Sequence, residues 1–334
     1  MKIKLLILLL LIQTQLFAAE VNVYSARKEA LIKPLLDRFT EQTAINVNLV
    51  TGKADTLLKR LEVEGTKSPA DILIPVDVYS LIRGKDKGLF QQVGSGVLEH
   101  TIPEHYRDTD KQWFGLSLRS RVIVYAPERV NESELDSYID LADATWKCRI
   151  CVRSSSNVYN QSLVAAMIAN YGADKTERWA KGLVNNFARP PKGGDRDQIK
   201  AVAAGVCDLA LVNNYYLAGM LESSREEEVN AAKKVKLFWP NQDGRGAHMN
   251  VSGAALLKPA KHKQEAIQLL EFLVSDEAQQ WYADKNYEYS INPKIESSSI
   301  LKSWGSYKAD TLNLNLLGIH NADAVMLMDR VGWK

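Results

Sequence analysis

The chain has 334 residues, enough for two domains of ordinary size. Its 42 lysines and arginines nearly match its 40 aspartates and glutamates, and without Lys2 and Lys4 the two signs cancel, which argues against a nucleic-acid partner. A hydrophobic share of 46% with 25% charged residues is the balance of a globular chain and excludes an extended disordered one.

Lys2 and Lys4 precede an unbroken apolar run, Leu5 to Ile12, and Leu16-Phe-Ala-Ala19 closes in small residues. That order predicts a secretory signal peptide over residues 1–18. The run is shorter than the roughly 20 residues a bilayer requires. No cysteine stands at the cut to take a lipid anchor, and no later stretch is long and apolar enough to span. The expected location is the periplasm, with the mature chain free in solution.

Strands and helices then alternate. Val21–Tyr24 predicts a strand. Leu31, Leu35, Leu36 and Phe39 form a helical stripe within Glu29–Gln42. Asn46–Val50 is a second strand, a helix covers Thr56–Glu64, Asp71–Ile74 is a buried strand, and Val78–Asp86 a helix. This βαβαβ order implies a parallel, doubly wound sheet. A second series has a strand at Arg149–Val152, helices at Asn160–Tyr171, Lys175–Phe187 and Asp197–Ala204, and a strand at Asp208–Val212. With crossing strands at Ser120–Tyr125 and Met249–Leu257, the expected fold is α/β with two lobes and a cleft between them. One lobe is expected to take residues 19–120 and about 246–295, the other 121–245 and about 296–334. Ligands of open α/β sheets bind where strand ends meet helix N-termini.

Three cysteines are present, Cys148, Cys151 and Cys207. In an oxidising compartment two can pair. Cys151 and Cys207 both adjoin strand-like segments of one region and are the favoured pair. Cys148-x-x-Cys151 lacks a thioredoxin-like setting, and a zinc site lacks a fourth ligand nearby. Cys148 is left without a role.

Most charged residues read as structural. Asp195 and Asp197 suit a helix start. Glu226-Glu-Glu228 reads as a solvated helical face, and Arg119 and Arg121 alternate on a strand. His100, His105, His262 and His320 have no metal-type spacing and are expected at the surface; His248 is expected in a structural hydrogen bond. Gly193-Gly194 is no phosphate loop, since no Gly-Lys-Ser/Thr follows. No Gly-x-Ser-x-Gly and no Ser/His/Asp arrangement points to hydrolysis.

The most informative segment is Val212-Asn-Asn-Tyr-Tyr216, directly after a buried strand. If the backbone is irregular there, Tyr215 and Tyr216 converge on one ligand; otherwise they are packing aromatics. Its setting resembles the ferric-iron-binding periplasmic proteins of ABC transporters. The resemblance is carried by Val23-Tyr-Ser-Ala-Arg27, Lys67-Ser-Pro-Ala-Asp-Ile72, Leu116-Ser-Leu-Arg-Ser-Arg-Val122, Arg153-Ser-Ser-Ser-Asn157, Asp197-Gln-Ile-Lys200, His248-Met-Asn-Val-Ser-Gly253, Trp304-Gly-Ser-Tyr-Lys-Ala-Asp-Thr-Leu312 and Asp329-Arg-Val-Gly-Trp333.

That resemblance implies iron(III) as the bound ion, Tyr215 and Tyr216 as ligands, and Tyr159 as the third tyrosine of one branch of the family. Iron(III) is a hard acid suited to anionic oxygen, and its charge favours the phenolate over the phenol. Lys28 stands where the family often has His, and Val76 near the position of a Glu ligand. Neither is a plausible ligand, so the remaining positions must be filled otherwise; the resemblance implies a small synergistic anion, carbonate or phosphate. Arg27 is its candidate charge partner, or else a solvated charge at a helix start. The backbone N–H groups of Ser155, Ser156 and Asn157 are expected to add donors, and Asn213 to orient the shell. The implied protein is a monomeric carrier, not an enzyme, delivering iron to an inner-membrane permease; binding of iron(II) at the same residues stays open. The rivals are the same fold holding an oxyanion or polyamine, and an exported enzyme.

Overall fold

The computed structural model describes residues 19–334, so the signal peptide expected over residues 1–18 lies outside the described residues. The chain opens with β1 (Glu20–Ser25), α1 (Glu29–Thr43), β2 (Asn46–Thr51), α2 (Ala54–Glu64), β3 (Ile72–Ile74) and α3 (Val78–Asp86). β1 pairs in parallel with β2 on one side and β3 on the other, as the βαβαβ order predicts. α1 buries Ile32, Leu35, Leu36 and Phe39, an i, i+3, i+4, i+7 stripe. Leu31, expected on that stripe, is one residue out of phase and lines the cleft instead.

After α4 (Gly96–Thr101) comes β4 (Phe114–Tyr125), a 12-residue strand buried along its whole length. Then follow β5 (Ile150–Cys151), α5 (Val158–Tyr171), α6 (Ala173–Asn185), α7 (Asp195–Ala203), β6 (Leu209–Asn213), α8 (Asn214–Leu221), α9 (Glu226–Ala232) and β7 (Lys236–Phe238). β8 (Met249–Leu256), α10 (Lys263–Phe272), α11 (Asp276–Lys285), β9 (Tyr289–Ser290), α12 (Ser299–Lys302), α13 (Asn315–Ile319) and α14 (Asn321–Arg330) complete it. Strand order is β2-β1-β3-β8-β4-β6-β5, with β7 and β9 also paired to β4.

The sheet is mixed rather than wholly parallel. β1, β2 and β3 run parallel, as do β5 and β6, but β4 and β8 cross the middle antiparallel. β4 pairs with β8 over Phe114–Ser120 and with β6 over Arg121–Tyr125, so one strand serves both halves of the fold. β8 continues from β4 to β3 in the same way. Helices flank the strands, and the cleft opens where the two halves meet.

β4 carries charge into the core. Side chains alternate along a strand, so Ser117, Arg119 and Arg121 share one face. Both arginines are 2% exposed, and a buried guanidinium persists only if paired. Arg121 Nη1 donates to Asp195, whose other oxygen accepts from Arg153 Nη1 at 2.7 Å. Arg121 Nη2 donates to Asn160 at 2.8 Å. Asp195 is thus the hub of a buried network, which corrects its reading as a simple helix-start residue. Asp197 does serve that role, accepting from Gly194 N at 2.7 Å. Glu228 likewise departs from the solvated-face reading. It is 2% exposed and accepts from Arg196, Arg225 and Ser223, whereas Glu226 and Glu227 are exposed.

Two further ties join the halves. α13 packs against both α3 and α5, and Gly318 permits the approach: a Cβ there would lie 2.2 Å from Ile82 Cγ2. Asp77 caps α3 by accepting from Tyr79 N at 2.9 Å, accepts from Asn250 of β8 at 2.9 Å, and receives Ser162 of α5 at 3.3 Å. Burial pushes its carboxyl up to about 7, against the opposing pull of these bonds and of Arg119. The C-terminal Trp333 is wholly buried and donates to the Arg153 carbonyl at 3.0 Å. The cysteine pairing agrees with expectation: Cys151 and Cys207 are disulfide-linked, with Cα atoms 5.9 Å apart, and Cys148 is free and exposed.

Three expectations follow from this architecture. Denatured but unreduced protein should titrate with one thiol per chain; three would refute the bridge, and Cys207→Ser should cost ~4 kcal/mol by chain-entropy reasoning. Asp195→Ala should lose roughly 3–5 kcal/mol in denaturant unfolding, because it strands buried arginines. Asp197→Ala should lose about 1 kcal/mol, and equal losses would contradict the hub assignment. The raised Asp77 carboxyl means the folded state holds a proton that the unfolded chain releases near pH 4. Its contribution to stability is full below about pH 4 and is lost as pH rises toward 7. Wild type should therefore lose stability relative to Asp77→Asn across that window, and a pH-independent difference would count against a protonated Asp77.

Candidate metal centre

Tyr159 is the second residue of α5, and Tyr215 and Tyr216 lie in the first turn of α8, just past β6. The backbone at the pair is regular helix, not the irregular segment that the sequence reading required for convergence. The two rings stand 4.4 Å apart between centroids, tilted by 36°. Tyr215 OH donates to Tyr159 OH at 3.2 Å, so residues 56 apart in sequence meet at their hydroxyls. Asn213 Nδ2 reaches Tyr215 OH at 3.4 Å. Asn213 is itself fixed, its backbone N–H donating to Asp195 at 3.1 Å and its side-chain Oδ1 accepting from Arg121 Nη1 at 3.2 Å. The buried network under β4 thus holds the shelf on which the tyrosines stand.

All three tyrosines line a cleft of about 320 Å³, together with Arg27, Lys28, Val76, Arg119, Arg196, Lys285, Tyr287 and Glu288. Five basic side chains face a single carboxylate there. Arg119 lies 5.8 Å from the Tyr215 ring centre and Arg153 lies 5.7 Å from that of Tyr159. Burial pushes the Tyr159 and Tyr215 phenols above the ordinary tyrosine value, and charge on neighbouring phenols would push further. Tyr159 and Tyr215 are therefore neutral phenols at neutral pH. Only a strong positive charge among the hydroxyls would make phenolates of them.

Arg27 is in the cleft wall but is not a solvated helix-start charge. It is 4% exposed, donates from Nη2 to Ser117 and to Glu288 at 2.7 Å each, and stacks 5.1 Å over Tyr282. Ser155, Ser156 and Asn157 are not among the residues lining this cleft. The Ser156 and Asn157 N–H groups turn back onto Ser154 at 3.2 and 3.1 Å, so two of the three expected donors are spent locally. Ser156 lines a separate groove with Asp55, Asp77 and Asn321. Lys28 and Val76 do line the cleft, and the Val76 carbonyl accepts from Arg119.

The histidines stay apart from the site. The His248 side chain makes no structural hydrogen bond: its Nε2 is buried without a partner, and the bond runs from its backbone N–H to Tyr138 OH at 3.0 Å. Burial, with Arg245 and Arg121 nearby, pushes its imidazole down to about 3, leaving it neutral. His262 is partly buried, with Nδ1 3.0 Å from Asp71, rather than a free surface residue. Among the described residues, no three His, Cys, Asp or Glu side chains cluster to hold a metal. Beside the Tyr159, Tyr215 and Tyr216 phenols, the cleft offers the Glu288 carboxylate as a side-chain oxygen donor.

The sequence reading missed Glu288 and Ser117. Burial would raise the Glu288 carboxyl, but Arg27 and Arg119 outweigh it and hold it below the ordinary glutamate value. A signal for it existed: two arginines inside the apolar run Leu116–Val124 demand buried carboxylates. Nothing local marks which glutamate answers.

Comparison with known proteins agrees with this architecture. A family model described as bacterial extracellular solute-binding protein matches residues 67–303. Iron uptake protein A1 of Synechocystis sp. is 45% identical over 315 residues, covering 94% of this chain and 88% of that protein. A Trichodesmium structure described as IdiA or FutA in complex with iron and citrate superposes with a TM-score of 0.92 at 48% identity, covering 95% of this chain and 100% of that one. The ferric binding protein from Campylobacter jejuni gives 0.89 at 39% identity, with 94% and 100% covered. The chain belongs to the bacterial extracellular solute-binding protein family.

Proposed function

We propose that this protein binds iron(III) in the periplasm through the phenolates of Tyr159, Tyr215 and Tyr216 and delivers it to an ABC-transporter permease. The observation that carries the reading is the meeting of three phenols in one cleft, with Tyr159 and Tyr215 in direct hydrogen bond. Three phenolates match the charge of iron(III), and hard oxygen suits that ion. The iron named in the relatives' descriptions supports the same reading.

The excess of basic groups supports iron arriving with a small anion such as carbonate. Arg27 remains the inner candidate for that anion. Lys28, Arg196 and Lys285 add positive charge along the cleft. We further propose lobes of residues 19–120 with about 246–295, and 121–245 with about 296–334, closing about β4 and β8. The basic lining also supports a second reading, an oxyanion carrier that takes no metal.

Titrating the iron-free protein with ferric citrate should produce a visible tyrosinate-to-iron(III) charge-transfer band. Tyr159→Phe, Tyr215→Phe and Tyr216→Phe should each shift or weaken it and lower affinity by more than about tenfold. Because phenols release protons on binding, affinity should fall as pH falls. A colourless wild type would sink the iron reading; if that protein took up phosphate or sulfate instead, the oxyanion reading would stand.

A further inference from the structure

Glu288 follows α11 and reaches the floor of the cleft, 5% exposed. Its Oε2 accepts from Arg27 Nη2 at 2.7 Å and from Ser117 Oγ at 2.6 Å. Its Oε1 stands 3.4 Å from Arg119 Nη2. A carboxylate normally meets arginine through a two-pronged fork. Here Arg27 gives one prong, and Arg27 Nε and Arg119 Nε are buried with no partner. Two buried guanidiniums therefore face one carboxylate; Arg119 also donates from Nη1 to the Val76 carbonyl and from Nη2 to Ser252 Oγ, so the unspent donors are the two Nε groups, and a Ser117 hydroxyl is already bonded to the same carboxylate. That is the donor set of an oxyanion pocket, filled by a side chain that a neighbouring segment supplies.

We propose that Glu288 is a tethered anion occupying an oxyanion subsite formed by Arg27, Arg119 and Ser117. A free oxyanion binds there only by displacing the Glu288 carboxylate from Arg27. Glu288 thereby sets how strongly ligand binding depends on an added anion. The ligand chemistry is a small planar oxyanion, either carbonate itself or the carboxylate arm of a metal chelate. This inference rests on the cleft being the ligand site, and it requires no metal to be present.

The test uses the iron-free full-length mature protein and calorimetric titration at fixed pH and ionic strength, with bicarbonate in one arm and citrate in the other. Glu288→Gln should bind the anion at least about tenfold more tightly than wild type, since the competing charge is gone. Adding Arg27→Ala should abolish the gain. Glu288→Asp, which keeps the charge on a shorter tether, should give an intermediate gain and covers the case in which the Gln variant does not fold. A gain for bicarbonate alone identifies carbonate as the ligand, and a gain for citrate alone identifies a chelate carboxylate. If neither Glu288 variant exceeds wild type in either arm, or if the gain survives Arg27→Ala, the proposal fails. As no iron is present, its failure leaves the tyrosine reading untouched, and a colourless iron titration leaves this test standing.

Discussion

Two arginines stand on one face of a strand that is buried from end to end, and the molecule is arranged around neutralising them. Arg119 and Arg121 are each only 2% exposed, so each needs a carboxylate brought to it. Asp195 comes from 74 residues away and Glu288 from 169. Bringing them in draws the N-terminus of α7 and the segment after α11 onto the same face of β4. The pull extends further, because Asp195 also binds Arg153 and the Asn213 backbone, which flank Tyr159 and Tyr215 in sequence. The charge requirement of the strand therefore positions the phenols without any of these ions being a ligand.

Burial raises the Tyr159 and Tyr215 phenols above the ordinary value, and five basic side chains line the same cleft. On the proposed reading, a trivalent ion that converts phenols to phenolates would change that balance, and the guanidiniums would then favour a companion anion. Glu288 fits the same logic from the other direction, as a negative charge already in place against Arg27 and Arg119. The position of β4 and β8, paired with each other and continuing into separate halves, puts this charge cluster at the crossing itself. Motion of one half against the other would be felt there directly, and at Asp77, which touches α3, β8 and α5 together.

The sequence by itself determined the alternation of strands and helices and the α/β class, favoured the Cys151–Cys207 pairing, and marked Tyr215 and Tyr216 for attention; Tyr159 joined them only through the family resemblance. Apart from that last step, these features are local: a period of 3.6 or 2, a short buried run, an aromatic pair after a strand. It did not reveal that α1 faces inward through Ile32 rather than Leu31, because neighbouring apolar residues differ in phase by one step and only the packing partner chooses between them. Nor did it reveal that Asp195 and Glu228 are buried while Asp197 and Glu227 are not. Within a run of like charges, sequence spacing does not say which one finds an arginine. The turn at Ser154, which spends two of the three N–H groups expected for an anion, and the arrival of Glu288 at Arg27 were decided by the tertiary structure alone. Charge neutralisation in a buried strand is a pairing between distant residues, and no local pattern records the partner.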